Sequence, residues 1–565
     1  MITNLYRNNN IKNPKNTKSL HHQLTLKIHS IIPLNIFQTW HSLELPEKMR
    51  ENVELLKRQN PEFKHYLYDD NMCREFIKDN FKDDVLYSFD KLKPGAYKAD
   101  LWRYCVLYIN GGIYLDIKYR CVNGFKLIEL TDKEYFVKDR VLSNIDCGMY
   151  NALMVCLPYN TKLLKTICNI VENVKNIFYD CNISDYRISS LTVTGPILLG
   201  NVFDSNDNYT YELKFSTCGR FIETSRGHVL QIYKEYHDDK KTNNKEYYTI
   251  SYRKRSIYNF LNLKPVKIIN LTSKITKFIG NQNVSFYTSN SCIVKQPDAD
   301  NYIINIRWVN YSLEQNGSPI IKYSKNISLN SYCYLDNSFN RITDDTFSED
   351  LNELNKKYKC YGIEDIRIFN YLDKFYYIGS AFNEKTDTIS ITSDIINFNN
   401  DNNYKLDKRF ISTSFNDRYR IEKNWSFVKY NNAKCFVYQW HPLIICEIDA
   451  SGDILNIVTR KYIKDDFFKK VKGSSSGVPF NNEIWFVLHI NQDTNYQHFF
   501  AVFDNDMNLL RYSEPFKLDN SRVEYCIGLI IEENRTILSF TSLDTKLYIG
   551  IYDNKYINSI RWNII

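Results

Sequence analysis

KADLWRYCVLYINGGIYLDIKYRC, residues 98–121, is the stretch on which the rest of the chain turns. Leu101, Tyr104, Cys105, Leu107 and Tyr108 recur at three- and four-residue spacing, which predicts an amphipathic helix. Asp100 and Arg103 stand three apart, so both side chains project from one side of that helix. Asn110, Gly111 and Gly112 end it, because glycine adopts the positive φ that a helix terminus often needs. Ile113 to Leu115 reads as a short buried strand, and Asp116 follows at its end. A carboxylate at the C-terminal end of a strand, with an Asp/Arg pair on the preceding helix, is a usual ligand-binding arrangement in α/β folds.

The pattern Ala-Asp-Leu-x-Arg-Tyr-x-x-Leu-Tyr-x-x-Gly-Gly-x-Tyr-x-Asp over 99–116 resembles the sugar-binding region of glycosyltransferase family 32. The resemblance implies a GT-A fold, a Rossmann-like sheet that binds a nucleotide-sugar with a divalent metal, Mn²⁺ or Mg²⁺. It implies that Asp100 and Arg103 hold the donor sugar, with Gly111, Gly112 and Tyr114 in the same donor-binding motif. Asp116 would be the first aspartate of the DXD motif, near ribose and metal. The opening Ile32-Pro33 to Trp40 resembles the family's first strand, with Phe37 where the family has histidine. Trp40 is a candidate to stack on the nucleobase, against a plain core role, and Gln38 is a second candidate. Asn151 and the Thr194-Gly195-Pro196 turn resemble later family segments around the donor pocket. Asn151 stays open between a sugar contact and a turn role.

The motif departs from the family at Lys118, which stands where the second DXD aspartate belongs. Carboxylates are hard oxygen ligands suited to Mg²⁺ or Mn²⁺, and a protonated lysine is not. Three readings stay open. The metal is held by Asp116 with other ligands, His237 being one candidate; or Lys118 supplies charge in its place; or turnover is lost and sugar binding kept.

Bulk properties narrow the class. The 565 residues predict two to four domains. A net charge of +8 over 73 basic and 65 acidic residues, with no long basic run, argues against a nucleic-acid groove. The 14 cysteines show no CxxC pairs or zinc-finger spacing, as expected for buried thiols in a reducing compartment. Residues 1–27 are polar and basic, expected to be a weakly ordered tail without a secretory apolar core. No run of 18 apolar residues predicts a transmembrane helix. These features predict a cytoplasmic protein of bacterial or giant-virus type.

The α/β transferase domain is expected over 28–262, followed by a linker over 263–280. From 281 to 565 short aromatic segments alternate with polar turns such as Leu372-Asp373, Asn431-Asn432 and Asn481-Asn482. Repeated hairpins predict an all-β domain, and the length suits a five-bladed β-propeller. Gly362-Ile363-Glu364-Asp365-Ile366-Arg367 and the earlier Asn305-Ile306-Arg307 resemble motifs of five-bladed propeller glycosidases and glycoside phosphorylases, with Ile366 in place of the motif proline. Arg307, Glu364, Asp365 and Arg367 are therefore candidates for a second pocket, against a structural salt bridge of Asp365 with Arg307 or Arg367.

The expected activity is transfer of a hexose from a nucleotide-diphosphate sugar to a glycan or other hydroxyl acceptor, with retention of configuration implied by the resemblance. Two rivals stay open: carbohydrate binding without turnover, and hydrolase or phosphorylase chemistry in the β domain.

Overall fold

Gly111 (φ +61°) and Gly112 (φ +102°) make the turn on which the first half of the molecule is built. A Cβ on Gly112 would stand 2.8 Å from the Asn35 carbonyl oxygen, so only glycine lets the chain double back this closely. The computed structural model describes residues 30–565 apart from 204–211, 242–245, 280, 298, 322–325, 349–359, 397, 399–405, 407, 416–420 and 493. The tail expected over 1–27 lies outside the described residues. The chain divides into two units, Met1–Asn259 and Phe260–Ile565.

The first unit opens with β1 (Asn35–Thr39), α1 (Glu47–Gln59), β2 (Lys64–Tyr68), α2 (Asp70–Asn80), α3 (Asp83–Lys91), α4 (Gly95–Asn110), β3 (Gly112–Leu115) and β4 (Tyr119–Cys121). It continues with β5 (Tyr135–Lys138), β6 (Val141–Leu142), β7 (Ile145–Asp146), β8 (Met149–Cys156), α5 (Thr161–Lys175), α6 (Tyr186–Ser189) and α7 (Pro196–Gly200). The last elements are β9 (Leu213–Phe215), β10 (Phe221–Thr224), β11 (Gly227–Ile232), α8 (Tyr236–Lys241) and α9 (Tyr248–Arg253). Nine strands form one mixed sheet in the order β2-β1-β3-β8-β5-β9-β10-β11-β4. β1 runs parallel to β2 and β3, whereas β3 pairs antiparallel with β8. β1 starts only at Asn35, because Pro33 has no N–H to give to a ladder.

Helix α4 is buried almost all round from Tyr97 to Tyr108, rather than presenting one polar face as its spacing predicts. It is the central helix of the unit, and its charged residues are enclosed with it. At its end the Gly111 N–H donates to the Leu107 carbonyl over 2.8 Å. Asp69 caps α2 by accepting from the Met72 N–H at 2.8 Å. In β3, Ile113 and Leu115 enter the hydrophobic core while Tyr114 faces the opposite way, the two-residue alternation of a strand.

The second unit is all-β apart from short helical turns among its described residues. Most of its strands fall into five sheets, built on Lys274–Ile279 with Gln282–Lys295 and Tyr302–Val309; on Ile363–Tyr371, Lys374–Asn383 and Thr388–Ile396; on Ser426–Tyr430 through Ile454–Lys461; on Glu483–Gln492 with Asn495–Phe503; and on Glu524–Ile531, Arg535–Ser542 and Lys546–Asp553. Leu372, Asp373, Asn431, Asn432, Asn481 and Asn482 all take positive φ, which is the two-residue hairpin geometry that matches strand twist. Two strands, Lys267–Asn270 and Lys274–Ile279, lie within the expected linker over 263–280. Lys267–Asn270 pairs antiparallel with Lys546–Asp553, and Lys274–Ile279 pairs with Gln282–Tyr287. The unit begins at Phe260, because an early strand completes a sheet formed by the last ones.

Candidate active site

Beyond the C-terminal ends of β1 and β3 lies a cavity of about 960 Å³. α4 contributes Asp100 and Arg103, β3 contributes Tyr114, and the turn after β3 contributes Asp116 and Lys118. β8 supplies Tyr150 and Asn151 from the sheet, and Tyr236, His237, Lys240 and Tyr248 enter from α8 and α9.

These charges form one connected network. Arg103 lies 3.3 Å from Asp100 Oδ1 through Nη2 and 3.3 Å from Asp116 Oδ1 through Nη1. Its Nη1 also donates to the Asn151 carbonyl at 2.8 Å, and its guanidinium rests on the Tyr114 ring with 4.4 Å to the centroid. Asp100 Oδ1 accepts from Asn151 Nδ2 at 3.0 Å and Oδ2 from Thr194 Oγ1 at 2.8 Å. Asp116 accepts from the Tyr114 hydroxyl at 2.8 Å and pairs through Oδ2 with Lys118 Nζ at 2.7 Å. Such a network holds its members in one geometry while leaving their outer surfaces on the cavity.

Burial sets the protonation states. It pushes the Asp100 carboxyl up to about 6, against the opposing pull of Arg103 and the Thr194 and Asn151 hydrogen bonds. Burial works the same way on Asp116, but Lys118 and Arg103 outweigh it and hold that carboxyl below the usual carboxylate value. Burial disfavours the Lys118 ammonium, yet Asp116 outweighs it and raises the lysine above its ordinary value. Asp139, also on the wall, is pushed up to about 6 by burial.

The structure brings Asp100, Arg103, Asp116, Lys118, Tyr114, Asn151, Gly195, Trp40 and His237 to the cavity. Four expected donor-binding positions lie elsewhere. Gln38 is fully buried; its Nε2 donates to the Leu115 carbonyl at 3.2 Å and its Oε1 pairs with His65 Nε2 at 2.8 Å, so it ties strands together. Gly111 and Gly112 sit at the start of β3, the strand end opposite to Asp116. Thr194 is fully buried and acts on Asp100 from behind the wall. Conversely, sequence reasoning missed Tyr150, Asp139, Arg140, Tyr236 and Lys240. Tyr150 adjoins the singled-out Asn151, and strand position alone would have placed it; the others carry no local signal.

A divalent cation does not fit this donor set. Among the described residues no three His, Cys, Asp or Glu side chains come together as a metal site, His237 and Asp116 included. Both oxygens of Asp116 are already opposed by cations, Lys118 and Arg103.

The β unit holds a second charged cluster. Arg307 pairs with Asp365 Oδ1 at 3.0 Å through Nη1 and with Glu364 Oε1 at 2.8 Å through Nη2. Asp365 also accepts from Asn290 Nδ2 at 2.7 Å and sits at φ +54°, beside a β-bulge. Arg367 donates through Nη1 to the backbone carbonyl of Asp365 at 3.1 Å rather than to its carboxylate. It donates to the Ser474 carbonyl and, through Nη2, to the Tyr525 hydroxyl at 2.9 Å. Burial works against charge on Asp365, but Arg307 and Arg367 outweigh it and hold the carboxyl below its usual value. Asp544, which interacts with the same Arg307 and Asp365, is pushed the other way, up to about 6, by burial.

A cavity beyond the carboxyl ends of adjacent parallel strands, walled by carboxylates, cations and tyrosines, has the position and lining of a polar-ligand site in an α/β unit. Residues 46–136 match the glycosyltransferase sugar-binding region containing DXD motif. That segment runs from α1 to β5 and includes Asp100, Arg103, Asp116 and Lys118. An uncharacterized glycosyltransferase of Acanthamoeba polyphaga mimivirus is 39% identical over 93 residues, 16% of this chain and 37% of the relative. The inositol phosphoceramide mannosyltransferase 2 of Schizosaccharomyces pombe is 28% identical over 177 residues, 31% of this chain and 47% of the relative. The chain thus spans less than half the length of these curated relatives. Among solved structures, a glycosyl hydrolase from Bacteroides ovatus aligns at 14% identity and a TM-score of 0.36, over 53% of this chain and 95% of its own. That likeness is too distant to bear on what the β unit does. No helix among the described residues is long and apolar enough to cross a membrane.

Proposed function

We propose that the protein is a glycosyltransferase that moves a hexose from a nucleotide-diphosphate sugar to a glycan or other hydroxyl acceptor, with retention of configuration. The observation that carries this reading is the Asp100–Arg103–Asp116–Lys118 network on the cavity wall, inside the segment that matches the sugar-binding family. The chemistry must stabilise a departing diphosphate and an oxocarbenium-like sugar. Arg103, Asp100 and Asn151 form a fixed surface against which sugar hydroxyls are oriented, which lowers the entropic part of the barrier. The Asp116–Lys118 corner faces the diphosphate. Trp40 lines the cavity and is the candidate platform for the nucleobase. The curated mannosyltransferase relatives make a mannose donor the first to test.

We read the β unit as a five-bladed propeller that binds the glycan acceptor. Its five sheets support this, as does the completion of the last one by the early strand Lys267–Asn270. A cytoplasmic location is supported by the fourteen cysteines, all free thiols and most of them buried.

The test is a screen of the full chain against UDP- and GDP-hexoses, with and without oligosaccharide acceptors, reading nucleoside diphosphate release and product mass. Transfer to an acceptor is the expected result. Tight donor binding with no release in the presence of any acceptor would turn the reading to carbohydrate binding without turnover.

A further inference from the structure

The corner that in the sequence motif should hold a metal is closed by a lysine, and that lysine is built in. The Asp116 N–H donates to the Ala152 carbonyl at 2.8 Å, and Asn52 Nδ2 donates to the Ile117 and Tyr119 carbonyls at 3.0 Å each. The Tyr233 N–H donates to the Lys118 carbonyl at 3.0 Å. With the backbone so held, the Lys118 stem runs beside the Tyr119 and Tyr150 rings, each 5.4 Å from Nζ, and its side chain is only 15% exposed. It is not a surface lysine free to swing into solvent.

Its ammonium meets Asp116 Oδ2 at 2.7 Å. A divalent ion on the same carboxylate would sit roughly 2 to 2.6 Å from the oxygen, within a few ångströms of both the ammonium and the Arg103 guanidinium. Three positive groups would then share one carboxylate. Around the cavity the described residues include six Asp or Glu and six Lys or Arg side chains, so there is no excess of carboxylate to hold a dication. An ammonium has three N–H donors, of which Asp116 takes one. Those remaining can reach an anion on the cavity side, and Lys240 lies on the same wall.

We propose that the diphosphate of the donor is met directly by the Lys118 ammonium, with Arg103 and Lys240 beside it, and that nucleoside-diphosphate binding does not require a divalent cation. This rests on the reading of the cavity as a nucleotide-sugar site. Lys118 takes the place of the metal as counter-charge, and Asp116 serves to orient the lysine.

The experiment is calorimetric titration of the full chain with UDP and with GDP, in EDTA, in Mg²⁺ and in Mn²⁺. The same titrations are run on Lys118→Met and Lys118→Asp, with circular dichroism and melting curves confirming that both variants fold. The expected result is one nucleotide bound with affinity that changes less than about threefold among the three media, about 0.65 kcal/mol. Lys118→Met should weaken it roughly tenfold to a hundredfold in every medium, the loss of a charge-assisted contact. Lys118→Asp, which restores two aspartates two residues apart, should bind poorly in EDTA and recover with Mn²⁺, with the ion itself detected by electron paramagnetic resonance. Wild-type binding that rises tenfold or more with Mn²⁺ would overturn this inference and leave the transferase reading standing. Unchanged affinity in Lys118→Met would also overturn it. Binding of neither nucleotide in any medium would overturn both.

Discussion

In the α/β unit Arg103 bridges Asp100 and Asp116 on the wall of a 960 Å³ cavity; in the β unit Arg307 bridges Glu364 and Asp365. Both arginines are nearly enclosed, at 8% and 6% side-chain exposure, and both face two carboxylates. The difference lies in what surrounds them. Around Arg103 the second carboxylate has its own cation, Lys118, and the whole group opens on a ligand-sized space. Around Arg307 the nearby Arg367 is committed to the Ser474 carbonyl and the Tyr525 hydroxyl, contacts that join distant strands of the β unit. Similar residue types thus stand in different surroundings in the two units, and on the proposed reading the first is a binding surface and the second a structural tie.

The comparison can be broken by substitution. Arg103→Ala should remove most transfer, by about 10² to 10³ in kcat, the usual loss when one preorganised charge leaves a transition state. It should also destabilise the α/β unit by about 3–5 kcal/mol, since Asp100 and Asp116 lose a shared buried partner. Arg307→Ala should cost the β unit a similar amount of stability, read by urea melts, and leave donor hydrolysis within about twofold of wild type. If Arg307→Ala abolished hydrolysis at unchanged stability, the β cluster would be a reaction centre and the distinction would fall.

A pH profile sharpens the distinction. Asp100 must be ionised to pair with Arg103, and its carboxyl is pushed up to about 6 by burial. Transfer should therefore decline as pH falls through about 6, by roughly tenfold per unit at the acid end. Asp139→Asn, which removes a second cavity carboxyl near 6, should leave that limb in place. Stability runs the other way for this group. Its folded value lies above the ordinary 3.8, so folding takes up a proton between 3.8 and about 6, and its contribution to stability decreases as pH rises through that window. Asp365, held below the usual value, should give no limb near 6. The smallest expected effect is Asp69→Ala, which removes the α2 cap at a cost of about 1 kcal/mol and leaves kcat unchanged.

Much of the first unit was legible because its signals are local. The Gly111-Gly112 turn, α4 and the strand ending before Asp116 each follow from residues within a few positions of one another. What failed was whatever depends on distant partners. Lys267–Asn270 reads as linker because its partner strand, Lys546–Asp553, lies at the far end of the chain. Gln38 reads as a ligand contact because sequence gives its strand but not which layer its side chain enters; His65 on β2 and the Leu115 carbonyl on β3 claim it. Lys118 was visible as a departure from the motif, but its 2.7 Å pair with Asp116 is visible only in the structure.

The most direct test of the central claim sets Asp116→Asn beside Asp365→Asn in the full chain, measuring nucleoside diphosphate release from the preferred UDP- or GDP-hexose. Loss of release in Asp116→Asn, with Asp365→Asn retaining it, is the expected result. Retention in Asp116→Asn together with loss in Asp365→Asn would contradict the claim and move the chemistry to the β unit.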